Sequence, residues 1–257
     1  MKPLTETFPY PLIELEETPS TSQHLSTLCC HNPESVAEFT TVSAEFQTAG
    51  KGQRGNTWES ETGKNLLFSV VLYPTFLEAR RQFILSQIVS LAIKEELSRW
   101  SDEVTIKWPN DIYWKDRKIC GILIENDLSG HNISRSICGI GINVNQEVFR
   151  SEAPNPVSLR QITGREHDRR ELLTHILQRI EIYYNGLRVE DPAVYSSEIA
   201  TRYARSLFRR RGYHPYEDCN GRFLARLLRV EQDGRFVLED ENGKEREYLF
   251  KEVQYIL

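Results

Sequence analysis

The sequence predicts an α+β domain over residues 1–211 and a small β domain over residues 212–257. Three observations predict it. Short strand-like runs fill much of the first 144 residues. Two long stretches carry apolar side chains at helical spacing. After Gly212 helical periodicity stops, and short runs are separated by Asp233-Gly234 and Asn242-Gly243, the strongest short hairpin signals.

In chain order, residues 10–16 alternate like a strand, and Pro19-Ser20-Thr21-Ser22 offers the N-cap of a short helix running to Cys30. Residues 38–46 read as a strand, 47–65 as a glycine-rich polar loop, and 66–73 as a buried strand. A long helix is expected over 80–100, with Ile84, Ile88 and Leu91 marking one face. Four strands follow at 104–108, 111–114, 119–125 and 134–144, joined at Lys115-Asp116-Arg117 and Ser129-Gly130-His131-Asn132. A second long helix has Leu172, Leu173, Ile176, Leu177, Ile180 and Tyr184 as its core face. Asp191-Pro192 makes a good N-cap and N1 pair for a third. In the β domain, strands are expected at 223–230, 235–239 and 245–250.

Bulk properties narrow the function. A net charge of −5 gives no global pull toward nucleic acid or anionic lipid. No apolar run approaches the roughly 20 residues of a membrane helix, and the first residues lack the apolar core of a signal peptide. Five cysteines, with no pair at zinc-knuckle spacing, read as reduced thiols of a cytoplasmic protein. The six histidines show no ligand spacing, and Arg209-Arg210-Arg211 reads as a solvated linker.

Four motifs could carry chemistry. Gly50-Lys51-Gly52-Gln53-Arg54-Gly55, followed by Trp58, lets backbone amides approach an anion while Lys51 and Arg54 add positive charge. Its spacing matches a dinucleotide fingerprint, but a strand rather than a helix follows, which disfavours an oxidoreductase. Lys107-Trp108-Pro109-Asn110-Asp111 supplies a cation, an amide and a carboxylate at a strand end, the groups that a nucleotide and its magnesium ion need. Taken alone it reads as a capped turn. Lys118 opens the otherwise apolar strand of Arg117-Lys118-Ile119-Cys120-Gly121, where it reads equally well as an exposed hairpin lysine. In Gly139-Ile140-Gly141-Ile142-Asn143, glycines within a strand mark close approach of a ligand or backbone, and Asn143 needs a partner.

Together these motifs, with Ser20-Thr21-Ser22-Gln23, Gln47 and the C-terminal β domain, resemble biotin protein ligases over nearly the whole chain. The resemblance implies a mixed central sheet flanked by helices and a C-terminal SH3-like β-barrel. It implies two half-reactions in one pocket: biotin attacks the α-phosphate of ATP, giving biotinyl-5′-adenylate and pyrophosphate, and a lysine of a biotin-carboxyl-carrier domain then attacks the adenylate. By resemblance Ser20, Thr21, Ser22 and Gln47 hold the biotin ureido ring, and Lys51, Gly52 and Gln53 lie in a loop that folds over biotin. Lys118 reaches both the biotin carboxylate and the α-phosphate, with Arg54 and Asp111 as its catalytic companions. Trp58, Lys107, Asn110 and Asn143 are expected at the nucleotide, and Asn110 with Asp111 at Mg²⁺.

The family loop commonly has arginine where this chain has Lys51, Gln53 and Asn56; Lys51 keeps the charge without the bidentate fork and Gln53 and Asn56 lose it, which leaves open how tightly the loop retains the adenylate. The catalytic fold begins within the first ten or so residues. The N-terminal DNA-binding domain of larger members is therefore expected to be absent, with no DNA or membrane partner; a homodimer is among the assemblies left open. Two rivals remain: a lipoate–protein ligase, which the pattern of Gly50 to Trp58 opposes, and a non-catalytic biotin-binding module, which intact Asn110, Asp111 and Lys118 oppose.

Overall fold

The computed structural model describes residues 8–31, 34–50, 52, 57–150, 155–189 and 191–257. The chain divides into two compact units, one reaching to Phe76 and resuming over Ile119–Gln178, the other formed by Leu77–Lys118 and Arg179–Leu257.

In the first unit β1 (Leu12–Thr18) runs parallel to β2 (Thr41–Gln47), while β3 (Leu66–Leu72) pairs antiparallel with β2 and with β7 (Asn132–Ile142). β6 (Arg117–Ser129) pairs antiparallel with β7, so the sheet is mixed. All seven residues of β3 are buried, as a strand apolar at every position but Ser69 requires. α1 (Thr21–His31) covers one face: Leu25 and Cys29, four residues apart, pack with Val42, Val71 and Ile137. The β6–β7 hairpin is longer than its sequence pattern suggests, since the strands continue to Ser129 and from Asn132 around Gly130, which takes φ +61°.

In the second unit the hairpin of β4 (Val104–Lys107) and β5 (Asp111–Trp114) packs with α2 (Phe83–Leu97), and α2 packs with α5 (Pro192–Ser206). The expected helix over 80–100 is shortened at both ends. Ala79–Arg81 forms a single 3₁₀ turn, and beyond Leu97 the Ser98 hydroxyl takes the Lys94 carbonyl while Arg99 and Trp100 close three-residue bonds. The second long helix is α4 (Arg169–Val189). The short α3 (Leu159–Thr163) was not expected, although Ser158 and Gln161 form the capping box that Ser-x-x-Gln spells.

The C-terminal sheet is antiparallel in the order β11 (Glu245–Tyr248), β10 (Phe236–Asp240), β9 (Gly221–Val230), β8 (His214–Asp218), β12 (Gln254–Tyr255). Its two predicted turns hold, with Gly234 at φ +93° and Gly243 at φ +76°. β8 and β12 escaped the pattern because Pro215 demotes one and the other has two residues. Arg209 is no solvated linker: its guanidinium donates to the Pro215 and Ile256 carbonyls at 3.2 and 2.8 Å.

A buried charge network stiffens the second unit. Glu96, 1% exposed, accepts from Arg99 at 2.6 Å and from Arg179 at 2.8 Å. Burial alone raises a carboxyl, but here the two guanidinium partners outweigh it and hold Glu96 below its ordinary value. A depressed folded-state value stabilises the fold above the ordinary carboxyl range, and that contribution is lost as pH falls through the folded value. Glu96→Gln is therefore expected to cost about 2 kcal/mol at pH 7. Urea titrations should show the gap between parent and variant closing below about pH 4.

Candidate functional site

The first group of site residues is built where β1 turns into α1. Ser20, Thr21 and Ser22 are all at least nine-tenths buried at the start of the helix. The Thr21 amide donates to Gln47 Oε1 at 2.8 Å, and the Thr21 hydroxyl donates to the same oxygen at 3.1 Å. Ser69, fully buried on β3, completes the set, its Oγ lying 2.8 Å from Thr21 Oγ1 and 2.9 Å from Ser22 Oγ. Because Thr21 gives its proton to Gln47, Ser69 donates to Thr21 and Ser22 donates to Ser69. The chain of O–H groups runs one way, leaving hydroxyl lone pairs and the Gln47 amide N–H groups to a ligand. Sequence reading missed Ser69. Its signal was a hydroxyl inside an otherwise apolar buried strand, which must find a partner.

The two strand glycines make room for this cluster and for an indole. Gly139 pairs with Ser69 across β7 and β3, and a Cβ there would fall 2.3 Å from Ser22 Oγ. A Cβ at Gly141 would fall 2.6 Å from the Trp58 ring. Trp58 is itself tied back by its amide, which donates to the Gly50 carbonyl at 3.0 Å. Asn143 donates from Nδ2 to the Val157 carbonyl at 3.2 Å, while its buried Oδ1 has no partner among the described residues. An unpaired buried acceptor is costly, and a ligand N–H would satisfy it.

The second group lies in the other unit. Lys107 and Asp111 face each other across the β4–β5 hairpin, and Lys118 Nζ meets Asp111 Oδ2 at 2.6 Å. Lys118 is thus not a free hairpin lysine but the partner of the motif carboxylate, and both side chains stay about a third exposed. Lys107 donates to the Tyr113 hydroxyl at 3.2 Å. Burial, opposed by Asp111 and assisted by Lys118 and Arg209, brings its amine down to about 8. The loop between the strands is clamped. Trp108 stacks on Phe236 at 4.8 Å and donates to the Gly234 carbonyl at 2.9 Å, Tyr203 donates to the Pro109 carbonyl at 2.6 Å, and Asn110 is 3% exposed, its amide 3.4 Å from Ser86 Oγ.

Lys51, Gln53 and Arg54 lie outside the described residues; of the loop's expected biotin contacts Gly52 alone is described, partly exposed. An open polar cleft of about 610 Å³ in the first unit, lined by Glu59, Lys64, Gln146 and Arg160 among others, includes none of the expected site residues.

Residues 16–143 match the model of the biotin/lipoate A/B protein ligase family. The chain carries a domain of this family. Its relatives include the bifunctional ligase/repressor BirA of Bacillus subtilis, 32% identical over 225 residues, which are 82% of this chain and 65% of that protein. The biotin–[acetyl-CoA-carboxylase] ligase of Paracoccus denitrificans is 33% identical over 141 residues, 51% of this chain and 57% of that protein. Among solved structures, the biotin protein ligase of Aquifex aeolicus in complex with biotin and ATP superimposes with a TM-score of 0.77 at 28% identity, covering 95% of this chain and 99% of that one. The chain thus spans about two thirds of the length of the Bacillus relative and nearly all of the Aquifex protein. The family domain contains the hydroxyl cluster, Trp58, the clamped loop and Lys118, and it ends on Asn143.

Proposed function

We propose that this chain is a ligase that joins biotin to ATP as biotinyl-5′-adenylate, releasing pyrophosphate, and then transfers biotin to a lysine of a carboxylase's biotin-carboxyl-carrier domain, releasing AMP. The observation that carries the reading is the Ser22–Ser69–Thr21–Gln47 chain. The ureido ring of biotin has two N–H donors and one carbonyl; the cluster offers hydroxyl lone pairs to the former and the Gln47 amide to the latter. Lipoate has only a dithiolane at that end and would leave these buried groups unpaired, which opposes the lipoate–protein ligase alternative. The relatives named biotin ligases, and the neighbour solved with biotin and ATP, support the same reading.

The other residues take roles by their chemistry. The unpaired Oδ1 of Asn143 suits the adenine amino group, and the Trp58 ring offers a stacking face. Lys118 neutralises charge building on the α-phosphate as the biotin carboxylate attacks, Asp111 holds the ammonium in place until then, and Lys107 takes a further phosphate. Lys51 and Arg54 are assigned to the same anion from the glycine-rich loop. Magnesium bound with a nucleotide takes one or two carboxylates and the substrate's phosphate oxygens, so Asp111, beside the Asn110 amide, provides a fitting donor set. The ion would supply further neutralisation of phosphoryl charge. Residues 1–211 would carry this chemistry, with 212–257 as the small β domain. The five described cysteines are all free thiols, in keeping with a cytoplasmic setting. Among the described residues no helix is long and apolar enough to cross a membrane.

Mixing the protein with biotin, ATP and Mg²⁺ in the absence of carrier should yield biotinyl-adenylate, seen by mass spectrometry, that is consumed when a carrier domain is added. Absence of the adenylate alongside biotinylated carrier would replace this route with a direct one. Ser69→Ala breaks the hydroxyl chain at its centre, and about tenfold weaker biotin binding is expected in calorimetry, with ATP binding unchanged.

A further inference from the structure

We infer that Tyr255, on the short strand β12, is a positioning residue for nucleotide binding: its ring and that of Tyr113 hold Lys107 between them and fix the ammonium for a phosphate. The inference rests on the reading of Lys107 as a nucleotide-binding cation. Lys107 Nζ lies 4.9 Å from the Tyr113 ring centroid and 5.0 Å from that of Tyr255, both within cation–π range. Its hydrogen bond to the Tyr113 hydroxyl leaves other ammonium protons for an anion.

Tyr255 is itself held in place. It pairs with Tyr216 on β8, and its ring meets Tyr216 at 5.1 Å, Phe208 at 5.9 Å and Phe236 at 5.9 Å. Arg209 donates to the next carbonyl, that of Ile256, at 2.8 Å. Two residues of strand are thereby locked over the lysine. The charged groups that act on Lys107 are Asp111 on β5, Lys118 at the start of β6 and Arg209 after α5, so with Lys107 itself three cations stand against one carboxylate, a balance suited to a polyphosphate. The burial that accompanies the ring contacts lowers the amine yet leaves it mostly cationic at neutral pH. A free lysine loses most of its side-chain freedom on gripping a phosphate; one held between two rings has lost it beforehand, and binding is tighter for that reason.

Calorimetric binding of an imido-bridged ATP analogue, without biotin, tests this on the full chain. Tyr255→Leu is expected to weaken binding about tenfold with biotin affinity unchanged, and Tyr255→Phe to restore it to within about twofold. In a Lys107→Met background, Tyr255→Leu should have no further effect, because its action runs through the lysine. An additive loss in that background, or equal weakening of biotin and nucleotide, overturns the inference. If the leucine variant does not fold, the phenylalanine variant decides, since it keeps the ring: a tenfold loss there overturns the inference and binding at the parent level sustains it. Biotin-dependent pyrophosphate exchange by the parent tests the ligase reading separately, so either can fail alone.

Discussion

Lys118→Ala should slow adenylate formation by about 10²–10³-fold, the cost of removing one preorganised charge-stabilising group, or about 3–4 kcal/mol. The pair it forms with Asp111 is short but nearly a third exposed on each side. Such pairs contribute about 0–1 kcal/mol to stability, so the variant should fold and melt close to the parent. The loss therefore lies in the transition state, where charge builds on the phosphate, rather than in the ground state. Rapid-quench measurement of single-turnover adenylate formation at saturating biotin and ATP reads it directly. Asp111→Asn removes the carboxylate that holds the Lys118 ammonium but keeps the ammonium itself, so it should slow the same step but by less. A Lys118→Ala enzyme with parental rates would move the role to Lys107, the motif lysine that faces Asp111 across the β4–β5 hairpin.

Gly139→Ala should weaken biotin binding about 10²-fold and leave ATP binding unchanged. The added methyl would fall 2.3 Å from Ser22 Oγ, and the shortest adjustment is rotation of that hydroxyl away from Ser69. The proton chain then loses its first link, and the loss of about two buried hydrogen bonds to ligand corresponds to about 3 kcal/mol. The stability cost is expected at about 1–3 kcal/mol, as for other overpacked interiors. Gly141→Ala provides the reciprocal: its methyl meets the Trp58 ring at 2.6 Å, so nucleotide affinity should fall and biotin affinity hold. Paired calorimetric titrations of the two variants with each ligand separate the roles. Loss of both ligands in both variants would mean that the strand is merely distorted.

Elements with strong period or unmistakable turns were legible in the sequence. β3 reads as a buried strand because it is apolar at every position but one, and the Asp233-Gly234 and Asn242-Gly243 turns need a left-handed glycine that few other residues supply. β12 was not legible, since two residues carry no period and the strand is held by the Arg209 guanidinium and the Tyr216 ring. In the site, the motifs themselves picked out Asp111 and Lys118, and the family resemblance picked out Thr21 and Gln47; the side chains do meet in these two pairs. Ser69 was hidden because one hydroxyl in a strand is commonplace until its partners are known. The reason for Gly139 and Gly141 was legible only as close approach; which groups approach, Ser22 and Trp58, depends on contacts 117 and 83 residues away in sequence. Tyr255 carried no signal at all, because its partner Lys107 is distant in sequence and the contact is made by a ring face.

ATP–pyrophosphate exchange, measured with Mg²⁺ and no carrier protein, tests the central claim most directly. Biotin should drive exchange of label from pyrophosphate into ATP, and lipoate and octanoate should leave it at background, because only the ureido ring can satisfy the Ser22–Ser69–Thr21–Gln47 chain. Exchange driven by lipoate and not by biotin would contradict the account.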